Sequence, residues 1–279
     1  MIYLDNAATT LYKPRAVEQA IRRAMYGAAG YARGGYAAAS RAGELVYACR
    51  EQAAALFGVG EPERVIFTLN ATHALNIAIN AFVKPDSRVI VSGYEHNAVM
   101  RPLTARNIEP TVLDTPLWDG AAMVSALKQA LEHGADLMIL SHVSNVFGSI
   151  APLDEIAELL TAAGVPLILD ASQSAGVAEI DVKRYPCLAA VCSRRTQGAV
   201  RPMGTGILLA LDDRIAAKPL LTGGTGSLSE ELRQPEFSAG CARKRYTECS
   251  RHRGSRGGHR LCPGGHAGAH CRAGETAGA

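Results

Sequence analysis

The sequence predicts an α/β fold in which a mostly parallel sheet has helices on both faces. Two observations lead to this expectation: short apolar runs of four or five residues recur along the chain, and helical patterns of ten or more residues separate them. Such alternation is typical of βαβ units, whose helices cover both faces of a parallel sheet. With 279 residues, 48% of them hydrophobic, the chain has enough apolar material for a large core.

The elements follow one another from the N-terminus. Helical periodicity predicts helices over residues 15–25 and 42–57, and the second ends at Gly58. The β-rich run Val65–Thr68 predicts a strand, and Ala71–Phe82 predicts the helix after it. The later predicted elements are a strand at 88–92, a helix at 121–132, a strand at 137–141, a helix at 153–163, and strands at 166–169 and 206–210.

The turn after the first predicted strand has the composition of a phosphate site. It carries Asn70, Ala71 and Thr72, whose small size lets a ligand approach the backbone. The free N–H groups and the positive dipole end of the following helix favour an anion. The alternative is that Asn70 or Thr72 only caps the helix, and the sequence leaves both interpretations open.

Polar residues also follow three later strands, where ligands bind in parallel sheets. Asp170 can pair with the protonated ring nitrogen of a pyridoxal cofactor, or act as a cap or a salt-bridge partner. Gln173 can reach the same ligand or be a solvated turn residue. His96 can stack on a flat ring or transfer protons, or be a polar surface residue. Asn145 can bind a ring oxygen or make an Asx turn.

Several stretches resemble the signature blocks of cysteine desulfurases, and they occur in the order of that family. They are YLDNAATT at 3–10, EHNAVMRP at 95–102, HVSNVFG at 142–148, DASQSAG at 170–176, GTG at 204–206 and GGTGS at 223–227. The resemblance covers residues 1–237 and implies the large domain of a pyridoxal-phosphate-dependent transferase of the class V aminotransferase family. It also implies a homodimer with pyridoxal 5'-phosphate as cofactor.

The resemblance implies roles for individual residues as well. At the phosphate it places Ala71 and Thr72, together with Thr225 from the partner subunit. It implies that His96 stacks on the ring and transfers protons, and that Asn145 and Gln173 bind near the ring oxygen. It also implies that Asp170 pairs with the pyridine nitrogen.

The implied reaction removes sulfur from L-cysteine, giving alanine and a persulfide on an enzyme cysteine, which a sulfur-acceptor protein then receives. The ring stores the electrons released from the substrate, and a cysteine thiolate attacks the substrate sulfur. Selenocysteine lyase or another class V aminotransferase or lyase is an alternative within the fold. A non-catalytic, truncated pseudoenzyme is an alternative of a different class.

The chain departs from the family where the covalent link is expected. The family has a His-Lys pair shortly before its GTG run, and this lysine forms the Schiff base; residues 192–198 read CSRRTQG instead. Arg194 and Arg195 cannot replace it, because a guanidinium stays protonated and is not nucleophilic. Synonymous codons for 194–201 and for 243–254 can encode family-like sequence, including His-Lys, one nucleotide later. We therefore interpret residues 187–201, and everything after about 237, as frameshifted translation.

Residues 238–279 form an aberrant tail rich in Arg, Gly, Cys and His, with eight Lys or Arg and two Glu. We expect disorder, because the segment has almost no aliphatic residues to bury. The cysteines do not form the Cys-x-x-Cys pairs of zinc sites, and few aromatics accompany the arginines, so we expect no metal and no nucleic acid. On the resemblance we expect the small C-terminal domain, with its nucleophilic cysteine, to be largely missing and the polypeptide to be inactive.

The sequence also bears on where the protein works. No apolar run reaches the ~18 residues of a membrane span, and the first residues do not form a secretory signal. A cytoplasmic protein without membrane contact is therefore the default expectation.

Overall fold

The structure, a computed structural model, describes residues 2–3, 11, 14–31, 34–194, 204–217 and 220–221. Its strands are β1 (Val65–Thr68), β2 (Val89–Ser92), β3 (Thr111–Leu113), β4 (Leu137–Ser141), β5 (Leu167–Asp170), β6 (Leu188–Ser193) and β7 (Gly206–Ala210). Its helices are α1 (Arg15–Gly27), α2 (Ala37–Leu56), α3 (Ala71–Phe82), α4 (Asn97–Thr104), α5 (Gly120–Glu132), α6 (Leu153–Ala163) and α7 (Arg214–Ala217), with 3-10 turns at Pro62–Arg64 and Val182–Arg184.

The strands form one seven-stranded sheet in the order β1-β7-β6-β5-β4-β2-β3. Neighbouring strands from β3 to β6 are parallel, whereas β7 runs antiparallel between β6 and β1. The ends of β1, β2, β4, β5 and β6 therefore lie at the same edge as the start of β7. We call this the carboxyl edge. Of the polar residues singled out above, Thr72, His96, Asn145 and Gln173 follow strands that end at this edge, and Asp170 is the last residue of one of them.

The sheet is buried on both faces, because successive side chains of a strand point to opposite sides. In β5, Leu167 and Leu169 belong to one apolar cluster and Ile168 to the other. Helices α2, α5 and α6 cover the first face, and α3, α4 and α7 cover the second. The predicted α/β fold, a mostly parallel sheet between two layers of helices, is thus confirmed.

The structure adds elements that the sequence patterns did not predict. Strand β6 lies in the middle of the sheet and all of its residues are buried, although its sequence falls within the segment 187–201 that we interpreted as anomalous. Helix α4 is short and contains Pro102, and β3 has only three residues, so neither gives a clear periodic signal. Helix α2 begins at Ala37, five residues before the predicted start.

In the described part of the chain, no helix combines the length and the apolar character that crossing a membrane requires. The predicted tail at 238–279 lies outside the described residues.

Candidate cofactor site at the carboxyl edge

The start of α3 shows which residue of the preceding turn caps the helix. Asn70 is the N-cap: its side chain accepts a hydrogen bond from the His73 N–H at 2.7 Å. Thr72 lies within the first helical turn and is exposed, so it does not cap the helix. The N–H groups of Ala71 and Thr72 have no acceptor four residues earlier within the helix, and in the described part of the chain no other acceptor is seen for them.

Gly206, at the start of β7, lies against this turn. A Cβ atom at Gly206 would come within 2.5 Å of the Asn70 carbonyl carbon and of Thr68 Oγ1. Real Cβ atoms do not approach so closely, so only glycine fits here. Since Thr68 pairs with Gly206 in the sheet, the close approach fixes the start of α3 relative to β7.

Asp170 ends β5, and its carboxyl group is almost fully buried, with 6% of the residue exposed. Its Oδ1 accepts hydrogen bonds from the Ser172 N–H at 2.9 Å and from the Ser172 hydroxyl at 2.5 Å. Burial raises the pKa of Asp170, while these hydrogen bonds and electrostatic interactions with His96 and Arg194 lower it. In the described part of the chain, no donor reaches Oδ2.

His96 stands at the N-terminus of α4. Its Nδ1 accepts a hydrogen bond from the Ala98 N–H at 3.0 Å, and its ring is otherwise exposed. An accepting Nδ1 corresponds to the tautomer that carries its proton on Nε2. An electrostatic interaction with His96 lowers the pKa of Asp170, so the two side chains lie in the same region of the carboxyl edge.

Asn145 and Gln173 lie in the turns that follow β4 and β5. The turn at 144–148 is held by Ser144, whose hydroxyl accepts from the Phe147 N–H at 3.3 Å, and Asn145 projects from it exposed. Gln173 is half-buried in the turn after Asp170. The structure places both at the carboxyl edge and gives no contact between either of them and Asp170. Thr225 lies outside the described residues.

Glu95 is a residue of this edge that the sequence analysis did not single out. Its Oε1 accepts from the Ser92 hydroxyl at 2.6 Å and from the Ser141 N–H at 2.8 Å, and its Oε2 accepts from the Ser141 hydroxyl at 2.7 Å. Burial raises the pKa of Glu95 to about 7, against the lowering effect of these hydrogen bonds; the charge of Asp170 also raises it. The only sequence signal was its place between a strand and His96.

Lysine is missing from the described part of this edge. Lys84 follows the end of α3, and Lys183 lies in the 3-10 turn that precedes β6, so both belong to the opposite edge of the sheet. Lys128 is exposed on α5. The residue that follows β6 at the carboxyl edge is Arg194. No three His, Cys, Asp or Glu side chains among the described residues group as metal ligands.

The described residues thus form a mostly parallel sheet with one antiparallel strand, whose carboxyl edge carries the N-terminus of α3, the buried Asp170 and His96. Comparison with known proteins agrees. Residues 2–240 match the family model described as aminotransferase class-V. The chain therefore belongs to the aminotransferase class-V family. Class V aminotransferases and cysteine desulfurases depend on pyridoxal phosphate.

Individual relatives are described as cysteine desulfurases. A probable cysteine desulfurase of Synechocystis sp. is 29% identical over 248 residues, which are 86% of this chain and 58% of that protein. The cysteine desulfurase IscS of Shewanella loihica is 33% identical over 234 residues, which are 80% of this chain and 57% of that protein. The chain thus spans somewhat more than half the length of these curated relatives.

Solved structures share the fold. The apo structure of the cysteine desulfurase from Thermococcus onnurineus NA1 has a TM-score of 0.73 at 24% identity, over 88% of this chain and 66% of that one. SspA in complex with cysteine has a TM-score of 0.71 at 22% identity, over 90% of this chain and 73% of that one.

Proposed function

We propose that the carboxyl edge is the cofactor site of a cysteine-desulfurase-like protein, and that this chain holds pyridoxal phosphate without a covalent bond and does not turn over L-cysteine. The observation that carries the proposal is the buried carboxylate of Asp170 at the edge where α3 and α4 begin, with His96 at the start of α4. The descriptions of the relatives as cysteine desulfurases support the choice of substrate.

The residues present fit the cofactor at both of its ends. The N–H groups of Ala71 and Thr72, with the Thr72 hydroxyl, suit a phosphate at a helix N-terminus. The Asp170 Oδ2 atom, without a donor in the described part of the chain, suits a protonated ring nitrogen. A buried carboxylate whose pKa is raised by burial gains most from such a cationic partner. His96 supplies a flat ring between them, and Asn145 and Gln173 are proposed near the ring oxygen.

When bound, pyridoxal phosphate supplies a ring that stores the electron pair released from the α-carbon of an amino acid. The chain's own part is to keep Asp170 ionised and to orient His96. Because Nδ1 of His96 accepts a hydrogen bond, the ring carries its proton on Nε2. The ring face can then stack on the cofactor, and Nε2 can exchange a proton. The burial of Asp170 excludes water from its carboxyl group, which strengthens any charge interaction made there.

The covalent step has no lysine in the described part of the site. Arg194 stands there instead, and its guanidinium remains protonated at neutral pH. We therefore propose reversible binding, with the homodimer, the sulfur acceptor and the cytoplasmic location of the family as further expectations for the whole protein. The non-catalytic alternative differs in binding no cofactor at all.

The test combines cofactor binding with a search for a covalent adduct. The purified chain is mixed with pyridoxal phosphate, and binding is followed by cofactor absorbance and by equilibrium dialysis. A second sample is reduced with borohydride and examined by intact-mass spectrometry. We expect a dialysable complex, an unchanged polypeptide mass and no alanine from L-cysteine. A pyridoxyl mass increment on the polypeptide would contradict the proposal, and an absence of binding would favour the non-catalytic alternative.

The frameshift interpretation has its own test in the coding DNA. The nucleotides for residues 194–201 should give a His-Lys pair when they are read one nucleotide later. Any other reading in that frame would remove the interpretation. The buried strand β6 supports a boundary after Ser193, since residues 188–193 fit the sheet as they stand.

A further inference from the structure

Glu95 connects two strands at a point where their backbone pairing has ended. The register of β2 with β4 extends to the pair Val91–Ile139. Ser92 and Ser141 lie beyond this pair, and the Glu95 carboxyl group joins them through its three hydrogen bonds. The side chain therefore continues the connection between the two strands into the carboxyl edge.

The donors around Glu95 suit an ionised carboxylate, which only accepts hydrogen bonds. The Ser141 N–H can act only as a donor. The Ser92 oxygen accepts from the Tyr94 N–H at 3.3 Å, so its own hydrogen is directed to Glu95. The Ser141 hydroxyl completes the set on Oε2.

This connection reaches both ring-binding groups of the proposed site. Glu95 directly precedes His96, the first residue at the N-terminus of α4. Its partner Ser141 is paired in register with Asp170 on the neighbouring strand β5. A short path of bonded residues thus runs from the histidine to the aspartate.

We infer that Glu95 is a positioning residue that fastens the turn carrying His96 to the end of β4, and so holds the His96 ring in a fixed relation to Asp170. The expected consequence, tighter cofactor binding, rests on the proposed function. The fastening itself is a property of the chain without cofactor.

The surroundings of Glu95 give this role a pH dependence. Ser92 on β2 and Ser141 on β4 face the Glu95 carboxyl group, and both are uncharged. Asp170 on β5 is the charged group that raises the pKa of Glu95. His96 at α4 in turn affects the pKa of Asp170. Because the pKa of Glu95 is raised to about 7, the charged carboxylate that accepts all three hydrogen bonds predominates above neutral pH. The protonated group keeps the two bonds on Oε1 and can donate from Oε2 to the Ser141 oxygen, but these bonds are weaker because they lack the charge. The fastening, and with it cofactor affinity, should weaken as the pH falls through 7.

The first experiment measures pyridoxal phosphate affinity of the full chain carrying Glu95→Gln, with Glu109→Gln as the matched control. Glu109 is exposed and lies between α4 and β3, away from the carboxyl edge. We expect Glu95→Gln to weaken binding about five- to tenfold at pH 8 and less at pH 6, without a lower melting temperature. Loss of affinity together with loss of melting temperature would mark a merely structural role, and unchanged affinity would overturn the inference.

The second experiment needs no cofactor. Hydrogen exchange is followed in peptides that cover residues 93–97 and 138–142 of wild type, Glu95→Gln and Glu95→Ala. We expect faster exchange at these residues in Glu95→Ala, with the rest of the sheet unchanged. If wild type binds no pyridoxal phosphate but this local change is seen, the proposed function fails and the fastening stands. Identical exchange in all three proteins would overturn the inference.

Discussion

A buried carboxylate is stable only when donors or cations offset its lost hydration, and Asp170 has these partners on one side only. Ser172 supplies two hydrogen bonds to Oδ1, and the charges of His96 and Arg194 act from a distance. The absence of a donor to Oδ2 in the described part of the chain explains why this residue suits a cationic ring nitrogen. It also explains why the pKa of Asp170 stays raised by burial in the chain alone.

Asp170→Asn should therefore separate binding from folding. The variant keeps the size of the side chain and one acceptor for Ser172, but loses the charge that attracts a protonated ring. We expect pyridoxal phosphate affinity to fall at least about tenfold and the melting temperature to stay the same or rise. Asp86→Asn, at an exposed turn residue, is the control and should change neither quantity. Unchanged affinity in Asp170→Asn would argue against this carboxylate as the ring-nitrogen partner.

Glu95 gives a second prediction at this scale, about stability and pH. Its pKa in the folded chain, about 7, lies above the ordinary value of 4.5, because burial disfavours the charged form. The folded chain therefore binds more protons than the unfolded chain between these values, and the stabilising contribution of the neutral form is lost as the pH rises through 7. The melting temperature of Glu95→Gln minus that of wild type should increase from about pH 5 to about pH 8. A constant difference would show that Glu95 does not titrate in this range.

At the scale of elements, the junction of β1, α3 and β7 determines the geometry of the proposed phosphate site. Three features meet there: the Asn70 cap, the free N–H groups of the first helical turn, and the close approach of Gly206. Helix α3 also packs on β5, β6 and β7, so its position is fixed in part by β5, the strand that ends in Asp170.

Asn70 and Thr72 should separate the two properties of the α3 terminus. Asn70→Ala removes the bond to the His73 N–H and should lower the free energy of unfolding by about 1 kcal/mol. Thr72→Ala keeps the cap, so we expect unchanged stability and cofactor affinity several-fold lower, if the hydroxyl contacts phosphate. Chemical denaturation and cofactor titration of both variants provide the measurements. Equal stability losses in the two variants would contradict this division of roles.

Gly206→Ala tests the packing of β7 against the turn. The added methyl group would overlap backbone atoms of Asn70, so the strand or the turn must move, at a cost of roughly 1–3 kcal/mol in the free energy of unfolding. The matched control is Gly60→Ala, because a Cβ atom at Gly60 meets nothing within 4 Å. Similar melting temperatures for the two variants would show that the junction accommodates a methyl group at Gly206 without loss of stability.

At the scale of the whole molecule, local pattern predicted the elements whose signals are complete within a few residues. Strand β1 and helices α3 and α6 have the predicted bounds, since an apolar run or a helical period is followed by a clear stop such as Gly164. Helix α4 was missed because Pro102 interrupts the usual helical signal. Strand β6 was missed because the residues after it depart from the family, and its apolar sequence was therefore interpreted as part of the anomalous segment, although all of its residues are buried.

The sequence drew attention to polar residues that come shortly after a strand. Asp170 and His96 were singled out in this way, and an electrostatic interaction with His96 acts on the pKa of Asp170. Glu95 has the same place in the sequence, but its role depends on Ser141, 46 residues away, and such a partner has no trace in local sequence. The roles of Asn145, Gln173 and Thr225 stay predictions.

The antiparallel insertion of β7 between β6 and β1 has a consequence for how the molecule assembles. β1 comes early in the chain and can join the sheet only through β7, whose residues are synthesised much later. Contacts between such distant segments form slowly, because closing a long loop precedes any gain from pairing. On a ribosome, a nascent chain whose Gly206 is still inside the exit tunnel can already pair β4 with β5, yet the turn at Asn70 still lacks the neighbouring strand β7.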